Sequence, residues 1–306
     1  MDDIGVRANA ATFLVDALNV SGRLAELLRI ADAEIARIPR HLPREEWLWG
    51  FNHYTLIRII RAFGLTWTGS LKEALEELGH VLRLAEEDQT PEMAGYAFFY
   101  TAEAHHQAGD AEAALACARQ VEMISRARPE HLGLLAHAQF AFGYAHLADG
   151  RAAAAVESAR EALDLFRVVD KPYAGKAASV VADALLQAGD LPAAAPAAGE
   201  AIALCRRSLR AVYEAVAHGV MARVLLRRNG AAARDAVEAE FAEVAALIER
   251  TGAKTLAPAL CEWRAELAEV LGDAPRRADL LGAAQRGYAE IGAPLQVERV
   301  ARGIAG

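Results

Sequence analysis

The chain has few of the residues that commonly crosslink a fold or bind a metal. Its 306 residues include only three cysteines, Cys117, Cys205 and Cys261, which are widely spaced and have no CxxC pair or histidine cluster beside them. Disulfide frameworks and cysteine-rich zinc sites use closely patterned cysteines, so the sequence predicts neither. We interpret the three residues as reduced thiols packed in the core of a cytoplasmic protein.

The motifs of common enzyme classes are also missing. No GxGxxG, GxSxG, HExxH or EF-hand loop occurs, and the segment Gly64–Ser70 has the glycine spacing of a phosphate-binding loop without its lysine. The adjacent pair His105 and His106 would point about 100° apart on a helix, which is a poor arrangement for a chelate. We therefore predict a protein that is not an enzyme and needs no cofactor or metal.

Positive charge is in short supply as well. The formal net charge is −8, so the protein repels phosphate backbones and anionic lipids at long range. Met1–Asp3 is not a basic segment leading into an apolar stretch, which argues against a secretory signal. The longest uncharged run, His131–Ala148, contains histidines and a glutamine and predicts a buried helix in preference to a membrane span. We expect a cytoplasmic protein that binds neither nucleic acid directly nor membranes.

The sequence does contain a repeated helical hairpin, seen most clearly in Tyr96–Ala127. Apolar and small residues recur there at spacings of three and four on both sides of Gly109, which is the pattern of two helices. Gly109 can adopt the positive φ that ends the first helix, and Asp110 can cap the second. Glycines recur at intervals of 39 to 47 residues, which indicates a solenoid, at positions Gly22, Gly69, Gly109, Gly150, Gly189, Gly230 and Gly272.

The segment Phe142–Gly150, followed by Ala154, Ala155 and Ala162, resembles the signature of the tetratricopeptide family. That family is built from helix-turn-helix repeats of about 34 residues. The resemblance implies an all-α fold, a right-handed α-solenoid of about seven antiparallel hairpins. The longer period of this chain implies longer helices.

The irregular start and end of the repeat pattern suggest three regions. We assign 1–43 to an N-terminal hairpin or cap, 44–293 to the repeat array and 294–306 to a C-terminal capping tail. A helix is predicted from about Arg44 to Thr66. Its aromatic cluster is interpreted as a cap or hinge, with a separate binding patch as the alternative, and consists of Trp47, Trp49, Phe51 and Tyr54.

Three segments, Ala201–Ser208, Leu256–Leu267 and Leu280–Pro294, resemble the C-terminal region of large multidomain bacterial regulators. These regulators join a nucleotide cyclase or a LuxR-type DNA-binding domain to an AAA-type ATPase and then to tetratricopeptide repeats. The resemblance implies a role in sensing and interaction within a signal-transduction or transcriptional regulator. The partner would then be a protein or peptide segment, including the ATPase or cyclase domains of the same regulator.

In tetratricopeptide arrays the first helix of each repeat lines a concave groove, and the family's register points a set of aromatic and charged residues inward. Such a surface suits a peptide or flexible protein segment, while the lysine/asparagine clamp for a chaperone tail is missing. The aromatic members could instead fill the space between repeats, and the alternative function is a small-molecule effector site. The predicted groove residues are Tyr96, Phe99, Glu103, His106, His137, Phe140, Tyr144, Lys176, Ser179 and Asp183.

A set of arginines could converge where the fifth and sixth repeats meet and bind an anion or an acidic partner. The other interpretation is that they complement the dipoles at helix C-termini. The six residues are Arg206, Arg207, Arg210, Arg223, Arg227 and Arg228.

Overall fold

The computed structural model describes residues 4–48 and 50–305, and the regular elements of this part of the chain are all helical. Fourteen helices pair into seven antiparallel hairpins that stack as a right-handed α-solenoid, and a fifteenth helix follows. The helices are α1 (Ile4–Ser21), α2 (Leu24–Ile35), α3 (His53–Thr68), α4 (Leu71–Glu87), α5 (Pro91–Ala108), α6 (Ala111–Arg126), α7 (Leu132–Ala148), α8 (Ala152–Val169), α9 (Ala174–Gln187), α10 (Leu191–Arg207), α11 (Ala211–Asn229), α12 (Arg234–Thr251), α13 (Leu256–Val270), α14 (Ala274–Glu290) and α15 (Pro294–Ala305).

The turn chemistry predicted at the glycines is confirmed. All seven have positive φ, from 57° at Gly230 to 92° at Gly69. Gly109 ends α5 in the left-handed region, and the Asp110 carboxylate then accepts a hydrogen bond from the backbone N–H of Ala113 at 3.0 Å. Each turn therefore reverses the chain within about three residues, which keeps the two helices of a hairpin in contact.

The prediction of one helix from Arg44 to Thr66 is wrong at its start. A single 3-10 turn at Arg44–Glu46 is followed by extended backbone at Trp47 and a turn at Gly50, and α3 begins only at His53. Asn52 caps α3 by accepting from the N–H of Tyr54, and it also donates to the carbonyl of Arg40. The Asn52 side chain thus bonds to the backbone both before and after the start of α3. Because these bonds stabilise a helix start at this point, the helical periodicity upstream does not produce a helix.

The aromatic residues of this irregular segment pack inward. The Trp47 indole donates to the carbonyl of Leu42 and, with Tyr54, contacts the apolar cluster formed by α1, α2 and α3. Phe51 lies edge-on to Tyr96 of α5. Trp49, the fourth member of the predicted cluster, lies outside the described residues.

Small residues allow the hairpins to pack closely. Ala114, Ala155 and Ala194 occupy the same position in successive repeats, and each is fully buried. The uncharged run predicted as a buried helix forms α7, whose Phe140 and Ala141 are fully buried. Within residues 4–48 and 50–305 no helix is both long and apolar enough to cross a bilayer.

The solenoid is wound tightly enough for its ends to meet. The Thr255 hydroxyl donates to the carbonyl of Thr66 at 2.6 Å, and the Thr255 N–H donates to the carbonyl of Trp67 at 3.2 Å. Ile291 packs against the turn at Gly69. We call this contact between the ends of α3 and α5 and residues 254–302 the seam. It places the first helices of the repeats around a closed interior.

Candidate functional site: a closed polar core and a central cavity

A buried ion pair lies at the centre of the superhelix. The Lys176 ammonium of α9 is 4.0 Å from the Glu103 carboxylate of α5, and each side chain is 1% exposed. Glu103 also accepts hydrogen bonds from the hydroxyl of Tyr144 at 3.0 Å and from that of Tyr213. Four successive repeats are thus joined through one carboxylate.

Aromatic rings surround the Lys176 ammonium. It lies 4.5 to 5.9 Å from six ring centroids, which is within cation–π range. Burial lowers the pKa of Lys176 to about 8, although Glu103 opposes the shift. The six rings belong to Phe63, Phe99, Tyr100, Phe140, Tyr173 and Tyr213.

Most of the predicted groove residues belong to this interior and do not line open space. Phe99 and Phe140 are fully buried, and Tyr96 is half-buried beside His137. The His137 ring is enclosed by four aromatic rings, and its burial lowers the His137 pKa to about 4. Glu103 and Lys176 form the ion pair. All of them except Tyr96 are buried and would meet a partner only if the superhelix opened.

The other four predicted residues, His106, Tyr144, Ser179 and Asp183, line a cavity of about 550 Å³. The cavity lies between the inner ends of α5, α7, α9, α11 and α13 on one side and α14 and α15 on the other. This volume is in the range typical of ligand pockets. Aromatic rings on several of these helices contribute to its wall, from Trp67, Tyr144, Tyr213, Trp263 and Tyr288.

Ion pairs neutralise most of the charge around the cavity. Arg223 donates through Nε to Glu266 at 3.1 Å and lies 3.7 Å from Asp183. Glu262 accepts from Tyr288 and from Arg299, each at 2.6 Å. One guanidinium is therefore shared between the carboxylates of Asp183 and Glu266.

Two potential acceptors of the wall receive no hydrogen bond in the described part of the chain. The Asp183 Oδ1 atom is buried, and the Arg223 guanidinium, 3.7 Å away, pairs with it without a hydrogen bond. His106 uses Nδ1 toward the backbone carbonyl of Tyr144 at 3.1 Å, and burial lowers the His106 pKa despite the nearby Asp183 charge. A neutral His106 bonded in this way carries its proton on Nδ1, so Nε2 is an acceptor. The arrangement suits a ligand that brings N–H donors or positive charge.

The indole N–H of Trp67 is the complementary feature. Trp67 is 1% exposed and lines the cavity, and its Nε1 has no hydrogen-bond partner among the described residues. A buried indole N–H usually pairs with an acceptor. The wall thus offers one donor besides its two acceptors.

The six arginines are not brought together into one patch. Arg210 and Arg228 flank the two ends of α11, about 27 Å apart at 1.5 Å per residue. Their individual partners differ too: Arg206 binds Glu214 and Arg227 binds the carbonyl of Leu186. Arg210 stacks on Tyr173, Arg207 and Arg228 are exposed, and only Arg223 reaches the cavity.

Sequence reasoning missed the cavity residues that come from the seventh repeat and from α15. Trp263 and Glu266 of α13 are examples. One signal was available, because Gly219 of α11 has no side chain where Trp263 packs, and a Cβ there would lie 2.3 Å from the indole. Among residues 4–48 and 50–305 no group of three or more histidine, cysteine or acidic side chains could hold a metal ion.

Comparison with known proteins supports the fold. No family model matches the chain, and no curated protein matches its sequence. A solved structure of a Rap protein complexed with competence and sporulation factor superposes with a TM-score of 0.57 at 11% identity, covering 98% of this chain and 97% of that one. A putative kinesin light chain from Podosopora anserina with nearly identical TPR-like repeats has a TM-score of 0.32 at 16% identity, covering 82% and 99%. The superposition on the Rap structure therefore supports an all-α solenoid of antiparallel helical hairpins.

Proposed function

We propose that this chain is a non-catalytic, cytoplasmic scaffold that binds a peptide or flexible protein segment in its central cavity. The segment carries a basic side chain, and the complex forms without a cofactor. We further propose that the scaffold is the sensing and interaction arm of a bacterial signal-transduction or transcriptional regulator.

The observation that carries the proposal is the buried Oδ1 atom of Asp183 in the cavity wall, which accepts no hydrogen bond and has the neutral His106 near it. Both residues line a space bounded by aromatic rings. A buried acceptor without a hydrogen bond destabilises the protein. A charged ligand that supplies N–H donors should therefore bind with a more favourable free energy than an uncharged analogue of the same shape. Trp67 then supplies a donor for a backbone carbonyl of the same segment.

The regulator role rests on the sequence resemblance of segments such as Leu280–Pro294, and the fold is compatible with it. The Rap protein of similar fold is complexed with competence and sporulation factor, which is a precedent for ligand binding by such a solenoid. The segment bound here would belong to the ATPase or cyclase domains of the same regulator or to a separate protein.

A small-molecule effector is the second candidate. It is favoured by the size and partial enclosure of the cavity, because about 550 Å³ would bury most of the surface of a ligand of ordinary metabolite size. The same acceptors would select an amine or guanidine. A panel of free amines and nucleotides that shifts the melting temperature, with no effect of peptides, would favour this candidate.

Calorimetric titration with blocked pentapeptides tests the main proposal. The probe is acetyl-Ala-Ala-Arg-Ala-Ala-amide, compared with the peptide that has citrulline in place of arginine. We expect the arginine peptide to bind at least about tenfold more tightly, the factor that corresponds to one charge-assisted hydrogen bond. Asp183→Asn should remove that preference.

The matched control is Asp164→Asn on the outer helix α8, where the Asp164 side chain is 74% exposed. It should leave both affinities unchanged. Equal binding of the two peptides, or an arginine preference that survives Asp183→Asn, would refute recognition by these acceptors. For the regulator role, an antibody against the chain should detect a native species several times larger than 32.8 kDa.

A further inference from the structure

One wall of the cavity is formed by residues that are distant in sequence from the other wall. Trp67, His106 and Gly109 contribute from α3 and α5, whereas Tyr288 and Gln296 contribute from α14 and α15. The two walls contact each other at the seam. Access to the cavity is therefore controlled by how residues 256–305 sit against the early repeats.

Helices α13, α14 and α15 form a unit that is attached more loosely than any other hairpin. They pack extensively on one another, but the packing of α13 on α11 and α12 is smaller than the packing between any other two neighbouring hairpins. A short link joins α12 to α13. It begins with Gly252, which is in the left-handed region at φ 76°. In a repeat protein stability comes mainly from neighbouring repeats, so a small junction is the natural place for a hinge.

The seam that holds this unit closed begins at the hinge, where Lys254 and Ile291 both lie beside Gly69, and it extends to Gln296 of α15. Beyond the Thr255 hydrogen bonds at the hinge itself, Ile291 packs on Gly69 and the Gln296 side chain packs on Gly109. A compact apolar cluster joins Leu71 of α4 to Tyr288 and Ile291 at the end of α14. Opening also separates α13 from α11, where Trp263 packs on Gly219 and Arg223 pairs with Glu266, but it leaves the buried Glu103–Lys176 pair intact.

We propose that α13–α15 are a lid that opens about the link between α12 and α13, and that the cavity is filled while the lid is open. The inference concerns the regulation of the cavity and rests on the proposed function. In the closed form Gln296 and Arg299 complete the wall, so the same movement that admits the ligand also encloses it.

A disulfide across the seam tests the proposal. A Cβ atom at Gly69 would lie 3.5 Å from the Cβ of Ile291, which is within the range found in disulfides, so Gly69→Cys combined with Ile291→Cys can lock the lid. The native thiols compete poorly, because burial raises the pKa of Cys117 to about 11 and that of Cys205 to about 12 and also raises the pKa of Cys261. The reduced double variant and the single Ile291→Cys variant under oxidation are the controls.

Two measurements on the oxidised and reduced forms decide the matter. The association rate of the arginine pentapeptide should fall at least about tenfold on oxidation and recover on reduction, since a locked lid blocks entry. Hydrogen exchange of the Thr255 amide and its neighbours should show local opening in the reduced form and slow on oxidation. Equal association rates in the two forms would overturn the lid while leaving peptide binding intact.

The exchange measurement needs no ligand and separates failure of the lid from failure of the proposed function. If the peptide binds neither form, the proposed ligand class is wrong, and the lid is judged by exchange alone. Exchange at Thr255 that occurs only with global unfolding in the reduced form would refute the lid.

Discussion

Replacement of Lys176 by methionine tests whether the buried ion pair holds the superhelix together. Methionine has a similar length and suits the aromatic surroundings, but it leaves the Glu103 carboxylate buried and without its cation. Removing one partner of a buried pair costs about 3–5 kcal/mol. With an unfolding entropy of about 2.1 cal/mol/K for each of 306 residues, the melting temperature should fall by about 5–8 °C.

The double variant Lys176→Met with Glu103→Gln shows whether the loss comes from the unpaired charge. The glutamine carbonyl still accepts from the hydroxyls of Tyr144 and Tyr213, and no charge remains buried. We expect it to melt within about 2 °C of the unmodified protein, because replacing a whole buried pair is often neutral. Scanning calorimetry measures both variants.

The control is Lys72→Met, whose side chain is 89% exposed and pairs loosely with Glu76. It should shift the melting temperature by about 1 °C or less. If Lys176→Met behaves like Lys72→Met, the ion pair does not stabilise the fold. If the double variant melts as low as Lys176→Met, the loss does not come from the unpaired charge of Glu103, and the reasoning fails.

Further predictions concern pH and the seam. Since the pKa of His137 is lowered from 6.5 to about 4, the unfolded state holds a proton that the folded state lacks between these values, so stability falls as pH drops. In a His137→Phe variant the melting temperature should fall less as the pH drops from 6.5 to about 4. The pKa of Lys176 is lowered from 10.5 to about 8, so the protein should gain stability relative to Lys176→Met as pH rises from 8 to about 9.5. Gly69→Ala should lower the free energy of unfolding by about 1–3 kcal/mol more than Gly150→Ala, as measured by urea denaturation. Both changes strain a positive φ, but only the first brings a Cβ within 2.7 Å of Ile291. Equal losses would argue against a close seam.

The repeats could be predicted because their signals are local. The turn at Gly109 and Asp110 and the small residue Ala114 lie within one hairpin, and periodicity of three and four determines which face packs. The prediction for the start of α3 was wrong because capping by Asn52 is supported by its hydrogen bond to the carbonyl of Arg40. Helical periodicity does not encode such a bond. Local patterns therefore predict elements well and their interruptions less well.

The closed interior could not be predicted from such patterns. Whether Glu103 and Lys176 face a groove or each other depends on the superhelical pitch, which sums small rotations over several repeats. The cavity wall from Trp263 and Gln296 has the same origin, because both residues are far in sequence from the early repeats and meet them only through the winding of the superhelix. The register of the family points residues such as Tyr144 inward, but it does not indicate how far the space is filled.

The seam has a consequence for how this protein can vary in length. An open solenoid grows or shrinks by whole repeats, because every hairpin offers the next one the same surface. Here Gly69 must meet Ile291, and Gly109 must meet Gln296, so removing or adding a hairpin between them would rotate the two surfaces out of register. The number of hairpins between α3 and α15 is thus a fixed quantity, as the number of strands is in a closed barrel.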